Sequence, residues 1–160
     1  MKAKQSRMGK GDEARIRVAF RVPLEFAFDW CTDYTPRDAA LEGESYERRI
    51  LERTPRRVVF EDLEDTPSGW VWGRDVVTLR PPNRWHMEGV GSHRDVTADY
   101  RLTRLADGRT ELELRWWRRP KLLGKPIPRA QREKEGIRAW KRFGAAMERD
   151  YRRTHRSPPR

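Results

Sequence analysis

The sequence is poor in the residues that build disulfide-stabilised and membrane-spanning proteins. It holds one cysteine, Cys31, which cannot form a disulfide within the chain, as is typical of proteins in a reducing cytoplasm. It has no run of about 18 apolar residues, so no membrane-spanning helix is predicted. No apolar stretch follows the basic residues 1–11, which argues against a secretory signal. We therefore expect a cytoplasmic protein.

Residue spacings typical of metal, nucleophile and nucleotide sites are also missing. The histidines, His86, His93 and His155, form no HxH or HExxH spacing, and a single cysteine allows no CxxC. Ser92 lacks the GxSxG setting of a serine nucleophile. The glycines in residues 89–91 are too few for a phosphate-binding loop. We expect no metal, no cofactor and no dedicated nucleic-acid motif.

Charge and aromatic residues are abundant instead. Of the 160 residues, 38% are charged and only 36% are hydrophobic, a balance that favours disorder. Seven Trp, five Phe and four Tyr oppose this tendency, because aromatic side chains carry large apolar areas. The length suits one domain with a sizeable core. We expect a folded core beneath a highly charged surface.

The net charge of +11 is concentrated at the two ends of the chain. The first ten and the last ten residues each carry +4, which leaves +3 for the other 140. We predict a flexible basic lead over 1–12, a single domain over 13–154 and a disordered basic tail over 155–160. The tails either add solubility or attach weakly to nucleic acid or an anionic surface.

Strand and helix patterns alternate in the first third of the domain. Apolar residues at every second position predict a strand from Ala14 to Val22, which Pro23 ends because proline has no N–H to donate. A short helix is predicted over 24–31. A second is predicted over 35–43, with Thr35 as its N-cap and Gly43 at its end.

About six antiparallel strands are predicted between residues 44 and 120, separated by turn signals about 10–14 residues apart. In the last two, apolar and polar residues alternate, which predicts one dry and one wet face. A helix of about 25 residues follows. Its apolar stripe consists of Ile137, Trp140, Gly144, Met147 and Tyr151.

This order predicts an α+β protein, with a curved antiparallel sheet of about seven strands (β-α-α-β6-α) wrapped around a long C-terminal helix. A bent sheet and one helix leave space between them unless the side chains are large. Such a cavity suits small apolar molecules.

The chain resembles the helix-grip superfamily of START-related, polyketide-cyclase-like and pollen-allergen-like proteins (SRPBCC). The residues that carry the resemblance are 22–30, VPLEFAFDW, with Asp33 further on, together with the element order over about 13–154. The family's usual tryptophan at the end of the second short helix is missing, because 36–43 reads PRDAALEG. The resemblance implies hydrophobic-ligand binding and, in some members, cyclisation or aromatisation of polyketide chains. It implies no shared set of catalytic residues.

The candidate site residues are aromatic and polar side chains, most of them on the central strands and the long helix. The predicted ligand-binding residues are Phe28, Trp72, Arg74, His86, Tyr100, Trp116, Trp140 and Phe143. Arg74 could hold an oxyanion, His86 could move a proton, and Tyr100 is the third candidate for catalysis. The alternatives are that the aromatic residues pack the core and that Arg74 and His86 face solvent.

Three functions stay open at this point. The chain is either a binder of a small, mainly hydrophobic aromatic or acyl ligand, or a cofactor-independent cyclase, aromatase or dehydratase using the same cavity. The third possibility is weak binding to nucleic acid or an anionic surface through the tails. The expected partner in the first two cases is a small hydrophobic molecule, and the protein is expected to be a monomer or a homodimer.

Overall fold

Seven strands and three helices follow one another in the order that the sequence predicts. The computed structural model describes residues 12–121 and 124–155. The elements are β1 (Ala14–Phe20), α1 (Leu24–Cys31), α2 (Asp38–Glu42), β2 (Glu47–Thr54), β3 (Arg57–Thr66), β4 (Gly69–Arg80), β5 (Arg84–Gly91), β6 (Arg94–Arg104), β7 (Thr110–Pro120) and α3 (Arg129–Thr154). The long helix has 26 residues, close to the predicted length.

The strands form one curved antiparallel sheet in the order β1-β7-β6-β5-β4-β3-β2. Five neighbouring pairs are consecutive in the chain, whereas β1 crosses to pair with β7, placing Ala14 opposite Trp116 and Phe20 opposite Thr110. The predicted α+β helix-grip architecture is confirmed. No helix in the described ranges is long and apolar enough to cross a membrane.

The long helix lies against the concave face of the sheet. Its close approach requires a glycine, because a Cβ on Gly144 would lie only 2.6 Å from Cδ1 of Phe20 on β1. The core between helix and sheet is apolar and almost fully buried. Its most buried members include Phe20, Val58, Val77, Trp85, Leu102, Leu112 and Met147.

The second short helix is shorter than predicted. α2 begins at Asp38, and its N-cap is Arg37 rather than Thr35, so the predicted cap is wrong. The Thr35 hydroxyl instead donates to the Asp38 carboxylate at 3.3 Å. Gly43 ends the helix as predicted, in the left-handed conformation (φ 73°) that glycine adopts without strain.

The predicted tails fall mostly outside the described part of the chain, since residues 1–11 and 156–160 lie outside the described residues. The flexible lead, the disordered tail and surface binding through them therefore stay predictions. The domain boundaries over 13–154 and the oligomeric state stay predictions as well.

Candidate functional site

A cavity of about 610 Å³ lies between the concave face of the sheet and α3, with α2 at one side. Its aromatic wall comes from strands and helix alike. Trp85 and Tyr100 are stacked with ring centroids 4.7 Å apart, and Trp140 of α3 meets Tyr100 at 6.2 Å. Of the eight predicted ligand-binding residues, four line this cavity: Tyr100, Trp116, Trp140 and Phe143. These rings provide flat apolar surfaces of the kind that pack against aromatic or acyl groups.

A row of side chains crosses the floor of the cavity. In the strand register Asp75 is opposite Gly89, Gly89 is opposite Val96, and Val96 is opposite Arg118. The row therefore places a carboxylate on β4 and a guanidinium on β7, with two small residues between them. Both charged side chains line the cavity, with the carboxylate on one side of its floor and the guanidinium on the other.

Asp75 is a carboxylate without a hydrogen-bond or ion-pair partner among residues 12–121 and 124–155. Its side chain lies over Gly89, where a Cβ would collide with the Asp75 Oδ1 atom. Burial raises the pKa of Asp75 to about 6, and the nearby Asp62 carboxylate raises it further, while Arg48 and Arg94 oppose the change. A carboxyl group of this pKa can accept and return a proton near neutral pH.

Arg48 on β2 belongs to a fixed hydrogen-bond network on the side of the cavity that β2, β3 and α2 form. Its guanidinium, only 5% exposed, donates to the Asp62 carboxylate through two bonds of 2.8 Å and to Asp38 of α2 at 2.5 Å. It also lies 4.0 Å from the centroid of the Phe60 ring. The network ties α2 to β2 and β3 and so fixes one wall of the cavity.

Two further arginines line the cavity near the start of α3. Arg118 stands two residues after Trp116 on the same face of β7, and its Nε atom is buried without a partner in the described ranges. Burial lowers the pKa of Arg118 to about 10, and the like charges of Arg94 and Arg132 lower it further. Arg132, in the first turn of α3, also has a buried Nη1 atom without a partner in those ranges.

Glu42 and Tyr100 are two further titratable groups on the cavity wall. Burial raises the pKa of Glu42, on α2, to about 7, although Arg48 opposes this. Burial, and then the charge of Asp75, raise the pKa of Tyr100 above its usual range. The Tyr100 hydroxyl therefore stays protonated at neutral pH and can donate a hydrogen bond.

Three predicted residues lie on the convex face of the sheet rather than in the cavity. Arg74 is half exposed and donates to Glu61 at 2.5 Å. His86 lies with Nδ1 2.7 Å from Asp99 on the same outer face. Trp72 is 38% exposed. Successive strand residues point to opposite faces, so with Asp75 and Trp85 pointing inward these three must point outward. Their placement in the cavity is therefore corrected.

Phe28 also lies outside the cavity. It lies on α1 and is buried in the hydrophobic core, with its ring centroid 5.9 Å from that of Trp85. Conversely, several cavity residues were not predicted. They include Tyr34, Glu42, Arg48, Asp75, Trp85, Arg94, Arg118 and Arg132. Arg118 had a readable signal, since it continues the dry face that Leu112, Leu114 and Trp116 define on β7.

No family model matches the chain, and no curated protein matches it. Solved structures do. The di-domain ARO/CYC StfQ from the steffimycin biosynthetic pathway is 16% identical with a TM-score of 0.66 over 88% of this chain, which spans 46% of that protein. The Zhui aromatase/cyclase from Streptomyces sp. R1128 is 14% identical (TM-score 0.63), with 91% of this chain and 96% of that one covered.

A START superfamily protein from Mycobacterium smegmatis is similar over nearly its whole length. It is 15% identical with a TM-score of 0.65, covering 90% of this chain and 99% of that one. At identities this low, structural similarity shows the architecture alone. That architecture agrees with the element order and the sheet topology of this chain. The chain therefore has a helix-grip fold similar to that of these proteins.

Proposed function

We propose that the protein binds a small, mainly hydrophobic molecule, aromatic or acyl in character, in the cavity between the sheet and α3. The observation that carries this proposal is the cavity itself. Its volume of about 610 Å³ falls within the range of about 300–1,000 Å³ usual for ligand pockets. Its wall of stacked and edge-on rings supplies the apolar contact area, and the similar folds named above include two aromatase/cyclases.

The test uses the full chain and two matched tryptophan variants. Native mass spectrometry would detect a co-purified ligand, and a fluorescent hydrophobic dye would be displaced by a panel of fatty acids and polycyclic aromatic compounds. Trp140→Ala removes a cavity wall and should weaken dye binding about tenfold or more. Trp72→Ala, on the convex face, should leave it unchanged. Absence of saturable binding across both panels contradicts the proposal.

A second candidate function is a cofactor-independent ring closure in the same cavity, and Asp75 favours it. An ionised, unpaired carboxylate can remove a proton from a carbon beside a carbonyl group of a bound chain. The enolate carbon then attacks a second carbonyl of that chain, and the new alkoxide takes a proton from a donor such as Tyr100. Asp75 and Tyr100 thereby replace Arg74 and His86 as the residues proposed for catalysis.

This candidate is tested by turnover of a linear poly-β-carbonyl thioester. Asp75→Asn and Tyr100→Phe should each lower the rate at least about a hundredfold, as loss of a general acid or base does, with ligand affinity kept. Arg74→Ala and His86→Ala are the matched controls and should not change the rate. The wild-type rate should fall below pH 6, where the Asp75 base is protonated. Full turnover by Asp75→Asn excludes this mechanism.

A further inference from the structure

Two arginines leave buried hydrogen-bond donors unused at one end of the cavity. The Nε atom of Arg118 and the Nη1 atom of Arg132 are both inaccessible to solvent and have no partner in the described ranges. A buried donor on a charged group is costly when nothing accepts from it, and such groups in native proteins are commonly satisfied by water or a ligand. The two unpaired donors therefore place uncompensated positive charge beside the cavity.

The protein's own carboxylates do not meet this need for Arg118. Within residues 12–121 and 124–155 it forms no ion pair. The charges that reach it most strongly are those of Arg94 and Arg132, which repel it, ahead of the attraction of Glu135. Asp75, in the same cross-strand row, is three strands away, which is about 14 Å along the sheet. The excess positive charge at this end is therefore local.

Arg132 is held in place by other contacts. Its side chain is 1% exposed. Its Nη2 atom donates to the Asp12 carboxylate at 2.6 Å and to the Asp12 carbonyl at 2.8 Å, and its Nε atom donates to the Ile127 carbonyl at 3.2 Å. These bonds fix the guanidinium before any ligand arrives, so Arg132 supplies a fixed, buried positive charge beside the cavity.

The arginine end adjoins the aromatic wall. Trp116 lies two residues before Arg118 on the same face of β7, and its ring packs so close to α3 that a Cβ on Gly136 would lie 2.9 Å from its Cη2 atom. A ligand whose oxyanion meets the arginines therefore has its body beside Trp116. The site fits an amphipathic molecule better than a purely apolar one.

We infer that the natural ligand carries a carboxylate at one end, which pairs with the guanidinium group of Arg118 beside the buried charge of Arg132, while its aromatic or acyl body lies against Trp116. The inference rests on the proposed ligand-binding function and adds the chemical class of the ligand to it.

Two dyes that differ in one group test the inference on the full chain. 8-Anilinonaphthalene-1-sulfonate has the anionic group, and N-phenyl-1-naphthylamine is the neutral compound with the same ring system. Fluorescence titrations in about 0.3 M NaCl screen the exposed charges of the surface. The wild-type protein should bind the anionic dye about tenfold or more tightly than the neutral one. Dodecanoate should displace the anionic dye at lower concentrations than dodecanol does.

Arg118→Met keeps a flexible apolar chain in place of the arginine stem and removes the charge. It should weaken binding of the anionic dye about tenfold and leave the neutral dye unchanged, which also shows that the variant is folded. Arg132→Met should act in the same direction, and Arg74→Met, on the convex face, should have no effect. Equal wild-type affinity for the two dyes, or an equal loss of both in Arg118→Met, overturns the carboxylate site while leaving ligand binding intact. Binding of neither dye overturns both proposals.

Discussion

Asp75→Asn should stabilise the protein at neutral pH and leave its stability unchanged in acid. The Asp75 pKa rises from 3.8 to about 6 on folding, chiefly because burial disfavours the charged form. The folded state thus holds this proton more tightly than the unfolded state, so the wild-type protein loses stability as pH rises from 3.8 to 6. At about 1.4 kcal/mol for each pKa unit, the ionised carboxylate costs about 3 kcal/mol above pH 6. Asparagine keeps the shape and avoids that cost.

Urea unfolding of both proteins between pH 4 and 8 measures this difference. The variant should be more stable by about 2–3 kcal/mol at pH 8, and the gain should disappear near pH 4. Other buried acids, such as Glu42, affect both proteins equally and cancel in the comparison. Asp65→Asn, at an exposed position on β3, is the control and should give no gain at any pH. A gain for Asp75→Asn that does not vary with pH would refute the electrostatic argument.

Two further substitutions test the floor and the wall of the cavity. Gly89→Ala should destabilise the protein by about 1–3 kcal/mol and displace the Asp75 carboxylate, whereas Gly73→Ala, whose Cβ would meet only a backbone oxygen at 3.8 Å, should not clash. Urea unfolding measures both, and equal stabilities would contradict the predicted collision. Arg48→Met removes a buried guanidinium from two partly buried carboxylates and should cost about 3–5 kcal/mol, whereas Arg109→Met breaks an exposed pair and should cost under about 1 kcal/mol in thermal unfolding. Similar losses would show that burial does not strengthen the Arg48 network.

The fold could be predicted because its strands keep one dry face. From Val96 to Leu102 on β6 and from Leu112 to Trp116 on β7, apolar and polar residues alternate, and the long helix carries a single apolar stripe. Pairing of β1 with β7 was not predicted, because no local pattern in Ala14–Phe20 identifies its partner strand. The precise start of α2 was missed because the Thr35 hydroxyl reaches a side chain instead of a backbone N–H.

The site was predicted in part, and the misses have a common cause. On β4 both faces carry large residues, and the aromatic Trp72 points outward while the acidic Asp75 points inward, because a cavity wall accommodates a charge that a packed core would exclude. On β5 the alternation itself indicates that His86 faces outward, because Trp85 and Met87 on either side of it are apolar. Polar residues in register with a dry face, such as Arg118, are thus a readable sign of a polar cavity.

The pairing of the first strand with the last has a consequence for how the protein is made on the ribosome. Phe20 and Thr110 are 90 positions apart, and Ala14 and Trp116 are 102 apart. At roughly 5–20 residues per second, on the order of 5–20 s pass between synthesis of the two partners. During that interval the apolar residues of β1 have no strand to join. The pairing of β1 with β7 must therefore form late, after the strands from β2 to β6 have been translated.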